Sequence, residues 1–113
     1  MGVSGGSDRG PDQIAGDEIR LMWDYGVLVP LWDEHALLPE DPRWLRLVLH
    51  LSDELIDELT RWSQAVEAQA GEPRFESPEW RDASEALRRR GQALAEALQR
   101  EVGSRYRVTY KPW

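Results

Sequence analysis

Apolar positions near the start of the chain recur at every second residue. From Glu18 onward, Ile19, Leu21, Trp23 and Tyr25 alternate with Arg20, Met22 and Asp24, the period of a strand with one buried face. Gly26 then permits a bend, and residues 27–32 continue extended and apolar. Pro30 lacks an amide donor, which places this second stretch at a sheet edge or a bulge. Residues 36–46 contain Pro39 and Pro42 and read as a loop. The apolar residues Leu45, Leu47, Val48, Leu49 and Leu51 fit either a short buried strand or an extended lead into a helix, and periodicity does not separate the two.

The period then becomes helical. Ser52 is a predicted N-cap, Asp53 and Glu54 suit the positive helix end, and Leu55, Leu59, Trp62 and Val66 form one stripe before Gly71. The expected helix covers residues 53–70. Ser77 and Pro78 open a second helix over 78–102, because a proline at the first helical position has no amide to lose there. Its stripe is Trp80, Ala83, Leu87, Leu94 and Leu98, with Gly91 on the same face, either where two helices approach closely or as a weak point costing about 1 kcal/mol relative to Ala. Gly103 stops it, and in residues 105–111 Tyr106, Val108 and Tyr110 alternate with Arg105, Arg107 and Thr109 as a last strand. The order predicts an α+β fold in which a small sheet, built from the N- and C-terminal strands, packs against a two-helix hairpin. Residues 1–17 combine Gly, Ser, Asp and Pro with little to bury, so a flexible tail is expected ahead of a single domain over 18–113.

Four short motifs stand out: Asp24-Tyr25-Gly26 closing the first strand, Pro30-Leu31-Trp32, Leu51-Ser52 followed by Trp62, and the closing Tyr106-Arg107-Val108-Thr109-Tyr110. In these the chain resembles a family of small uncharacterised actinobacterial proteins over about residues 18–111. The resemblance implies a self-contained domain and carries no mechanism.

Composition narrows the chemistry more than it identifies it. At 113 residues, 41% hydrophobic and with six Trp, the chain can bury one core. With no Cys, disulfides, thiolate nucleophiles, zinc ribbons and iron–sulfur sites are excluded. No apolar run approaches the roughly 18 residues of a membrane helix, and a cytoplasmic protein without membrane contact is expected. The net charge of −7 is uneven: residues 1–73 hold five Arg against fifteen Asp and Glu, whereas 74–113 hold nine Arg and Lys against six acids. An acidic surface repels nucleic acid and steers basic proteins toward it.

Candidate sites are few. The chain has only His35 and His50, and in Asp33-Glu34-His35 adjacent residues of an extended segment point to opposite sides; no metal or cofactor is expected. No nucleophile elbow of the G-x-S-x-G kind occurs, and no catalytic residue is assigned. Arg88-Arg89-Arg90 spreads around a helix and reads as a solvated face, Glu85 being in reach of Arg88 and Arg89; Arg105, Arg107 and Lys111, with Arg20 alongside, make the better positive surface. Two groupings remain. Asp24, Tyr25 and His50 would line a ligand pocket between sheet and helices. Trp32, Glu34, Asp41 and Trp44 would form a partner surface, since Trp32, Trp44 and Trp113 fall in loops or ends where a partly exposed indole anchors an interface. The resulting expectation is a non-enzymatic protein-binding or regulatory module of accessory or immunity type, whose acidic half meets a basic protein. The alternative is a small ligand-binding domain or enzyme using that pocket.

Overall fold

The computed structural model describes residues 14–72 and 76–113. Three strands and three helices follow in the order β1 (Glu18–Met22), β2 (Leu31–Trp32), α1 (Pro42–Val48), α2 (Asp53–Ala70), α3 (Pro78–Val102) and β3 (Arg107–Lys111). The sheet has the order β2-β1-β3. β1 is antiparallel to β2, with Leu21 opposite Leu31, and parallel to β3, with Ile19 beside Val108 and Leu21 beside Tyr110. The parallel pair requires a long crossover, and the intervening helices provide it. The expected α+β architecture of terminal strands on a helical hairpin is the one observed.

Both long helices have the predicted bounds, for local reasons. Ser52 Oγ accepts from the Leu55 amide, and Ser77 Oγ accepts from the Trp80 amide with Pro78 in the first turn. The α2 stripe of Leu55, Leu59, Trp62 and Val66 is buried against Ile19, Leu21 and Leu31 of the sheet and Leu94 and Leu98 of α3 in one core. Ser52 is also gripped from α3: Glu101 accepts from its amide at 2.7 Å and from its hydroxyl at 2.8 Å. Arg105 ties the ends of α1 and α3 together by donating to the carbonyls of Val48, Leu49 and Val102.

Three expectations are corrected. Residues 42–48 are helical, where a loop and then a strand or extended lead was expected; Asp41 caps the helix by accepting from the Arg43 amide, and Pro42 stands at its start, where proline favours a helix. Within the α3 stripe Ala83 is exposed and Ser84 is buried instead, its hydroxyl accepting from Gln69 Nε2 at 2.9 Å. Arg105 lies in a 3-10 turn, Gly103–Arg105, ahead of the last strand, and its guanidinium is committed to carbonyls, so it adds no charge to a strand face. Of the segment 1–17 expected to be a loose tail, residues 1–13 lie outside the described residues, while residues 14–17 are tied in: Ile14 packs on the core, and the Arg107 amide donates to the Asp17 carbonyl at 2.7 Å.

The outer edge of the sheet is partly sealed from α3. Gln99 bridges two backbone groups of the last strand region, donating to the Tyr106 carbonyl at 2.9 Å and accepting from the Val108 amide at 2.8 Å, which answers the pairing demand of an edge strand. Nearby, the Tyr110 hydroxyl donates to the Arg88 carbonyl at 2.9 Å. Burial pushes the Tyr110 pKa above 10.0, with the Arg88 charge opposing and Glu85 assisting. A raised folded-state value means that the stability Tyr110 contributes is intact below the unfolded pKa and lost as pH climbs through the folded one. Between about pH 9 and about pH 11, the wild-type chain is expected to lose more stability to urea than Tyr110→Phe does; equal losses in the two would show that Tyr110 does not drive the alkaline decline.

Candidate functional site

Asp24 and Tyr25 follow β1 and introduce a tight turn at Gly26, whose φ of 73° favours glycine. Asp24 Oδ1 accepts from the Tyr25 amide at 2.8 Å, and the Tyr25 ring, 68% exposed, stands 4.7 Å from the Trp23 ring at a steep angle. His50 is elsewhere. It adopts φ 59° at the α1–α2 junction, where the amides of Leu49 and Leu51 both donate to the Leu45 carbonyl, so its position is a helix-ending corner. The Asp24 turn meets α2 at Glu67, fifteen residues beyond the Ser52 cap and therefore about 22 Å along the helix. The three residues are not brought together, and the space between sheet and helices is filled by the core.

The second grouping is divided between exposed and buried positions. Trp32 is half-buried, its indole N–H donating to the Met22 carbonyl at 2.8 Å. Trp44 is only 8% exposed and points inward from α1, so it is not the partly exposed anchor expected of it; the helix that a loop reading missed turns this residue into the core. Asp41 is exposed but serves as the α1 cap, and Glu34 is exposed beside Gly16. Their neighbour Asp33, 3% exposed, uses both carboxylate oxygens on backbone: Oδ2 accepts from Ala15, and Oδ1 from His35 and Ala36. A carboxylate receiving several amides is a loop clamp. Among the described residues no group of three His, Asp or Glu is placed to hold a metal ion.

The basic run on α3 is likewise divided. Arg89 approaches Glu85 at 3.9 Å, whereas Arg88 lies over the Trp113 ring at 5.1 Å and donates to the Trp113 carbonyl. Trp23, Trp113 and Trp80 form a chain of edge-on contacts at 6.0 and 6.2 Å, which closes one end of the molecule around the C-terminus.

What the fold does assemble is an open cleft of about 600 Å³ between the turn at Gly26, Val27 and Leu28 and the α2 residues Ser63, Gln64, Glu67 and Ala68. The turn is held from three directions. Glu67 Oε1 accepts from the Gly26 amide at 2.8 Å, Glu40 Oε2 accepts from the amides of Leu28 and Val29 at 2.6 and 2.9 Å, and the Ser63 hydroxyl donates to the Val27 carbonyl. Each carboxylate of Asp24, Glu40 and Glu67 thus orders the turn through one oxygen, and none of the three makes an ion pair with another described residue. The turn itself was visible in the sequence from Asp24-Tyr25-Gly26. Leu28, Glu40, Ser63 and Glu67 carried no local signal, since they meet only when the chain folds back across 12 to 41 positions.

A family model described as Serratia CdiI immunity protein-like matches residues 17–113. A search of the curated proteins gives no match.

Proposed function

Because the chain belongs to the Serratia CdiI immunity protein-like family, we propose that it is a non-enzymatic immunity module which binds a toxin protein and neutralises it, and that the toxin presents a basic surface. The family match over residues 17–113 carries this reading, since it takes in every strand and helix from β1 to β3. The charge distribution supports a basic partner. Residues 1–73 carry fifteen acids against five Arg, and the outward side of α2 exposes Glu54, Asp57 and Glu67 against Arg61, with Asp53 paired to Arg46 at 2.7 Å. Complementary charge accelerates encounter and penalises wrong partners. A rigid domain covering a toxin's working surface needs no chemistry of its own. A cytoplasmic location is part of the proposal; among the described residues no helix is long and apolar enough to cross a membrane.

The test starts with capture of the tagged protein's partner from its native host at low and moderate salt. The captured protein is then expressed alone and together with this chain. The expected result is growth arrest by the partner alone, relief on co-expression, and weaker capture at higher salt. A captured partner that is harmless, or a toxic one that this chain does not relieve, would refute the immunity reading.

A further inference from the structure

The immunity reading names a kind of partner without saying where it binds, and the cleft at Gly26 answers that. Of the three large apolar side chains exposed among the described residues, two, Tyr25 at 68% and Leu28 at 49%, belong to this one turn. The third, Leu47, stands alone on α1, next to Arg46 and one turn beyond Arg43. Exposed apolar groups gathered at a concave, polar-rimmed site mark an interaction surface. The turn is also ordered before any partner arrives, through its bonds to Glu40, Ser63 and Glu67, so docking does not require it to be ordered again. At Gly26 the space where a Cβ would lie is open, which leaves the backbone approachable.

The carboxylates around the turn decide the occupant: Glu67 lines the cleft, and Asp24 and Glu40 hold the same turn. Asp24, Glu40 and Glu67 each keep a carboxylate oxygen beyond the one that binds the turn, and no described cation neutralises them. An aromatic face beside unpaired carboxylates suits a cation with an apolar stem. We propose that the 24–29 turn and the adjoining stretch of α2 from Ser63 to Ala68 are the docking surface for the toxin, which places an Arg or Lys side chain against Tyr25 within reach of Asp24 and Glu67, with Leu28 covering its stem. This rests on the immunity reading for the identity of the partner and on the cleft for the place.

Two measurements test it. In the first, the 15N-labelled protein is titrated at low salt with a tetra-arginine peptide. Peptide-induced shifts are expected to concentrate on the amides of Gly26, Val27, Leu28 and Gln64 and to vanish in Asp24→Asn with Glu67→Gln. Those substitutions remove charge while keeping an oxygen that can accept from the Tyr25 and Gly26 amides. In the second, the affinity for the toxin identified by growth relief is compared across variants. Tyr25→Ala with Leu28→Ala should weaken binding about 30-fold, and Asp24→Asn with Glu67→Gln about 10-fold. Glu54→Gln with Asp57→Asn, which removes the same charge about 15 to 20 Å along α2 from Glu67, should change it less than threefold. Equal loss in the two charge variants would reduce the effect to general acidity and overturn the cleft assignment, as would peptide shifts centred elsewhere. Toxin binding unaffected at the cleft refutes the surface and leaves the immunity reading standing. Peptide shifts centred on the cleft with no toxin found refute the immunity reading and leave the cleft as a site for basic protein segments.

Discussion

Replacing Trp62 by Ala should lower stability by about 4 kcal/mol, the cost of emptying a large aromatic site in a packed core. Trp62 is the largest fully buried side chain and has no exposed surface. Its ring meets Tyr110 edge-on at 6.3 Å, and its indole N–H donates to the Leu87 carbonyl at 2.8 Å. The residue therefore joins α2, α3 and β3 at one point. Against a total of about 5–15 kcal/mol for a domain, the variant should sit at the edge of folding. Trp62→Phe keeps most of the volume and loses the hydrogen bond and one ring, so a smaller loss of about 1–2 kcal/mol is expected. Urea unfolding followed by far-UV circular dichroism separates the cases. A Trp62→Ala loss below about 1 kcal/mol would mean that the three elements do not depend on this contact.

Gly91→Ala should destabilise the protein by about 3 kcal/mol, although Ala in a helix interior is ordinarily better than Gly by about 1 kcal/mol. A Cβ at position 91 would fall 2.4 Å from the Tyr110 hydroxyl oxygen, 2.6 Å from its Cζ and 2.7 Å from Trp62 Cζ2. Neither ring yields easily: Trp62 is enclosed, and Tyr110 is held by its bond to the Arg88 carbonyl. Overpacking thus outweighs propensity, and the sign of the effect is the informative part. A Gly91→Ala protein more stable than the wild type would show that α3 does not approach β3 and α2 as closely as described. The double change Gly91→Ala with Tyr110→Phe removes the nearest atom and should recover part of the loss, giving a measurable coupling between the two positions.

The candidate site was legible only in part. Asp24-Tyr25-Gly26 announced a turn, because a positive-φ glycine after an alternating strand leaves few alternatives. That Tyr25 would be exposed, and that Glu67 and Glu40 would hold the turn, could not be read locally. Trp44 shows the reverse failure: two prolines nearby suggested a loop, yet Pro42 begins a helix under the Asp41 cap. Once that helix forms, Leu45 is wholly buried and Trp44 nearly so. His50 looked available as one of two histidines, and it occupies a left-handed corner at the far end of α2 from the cleft.

Local chemistry by itself determined α2, α3, their caps, the one-sided burial of β1 and the acidic balance, because N-caps, helical stripes and period-two alternation act within a few residues. A close approach of two helices was one expectation for Gly91 on the buried stripe; Trp62 of α2 does meet it, but the nearest atoms belong to Tyr110 of β3. Only the tertiary structure decided which strands are neighbours, that Gly91 meets Tyr110 and Trp62, and that three separate carboxylates converge on one turn. Those outcomes depend on contacts between residues tens of positions apart, whose geometry is set by how the core packs.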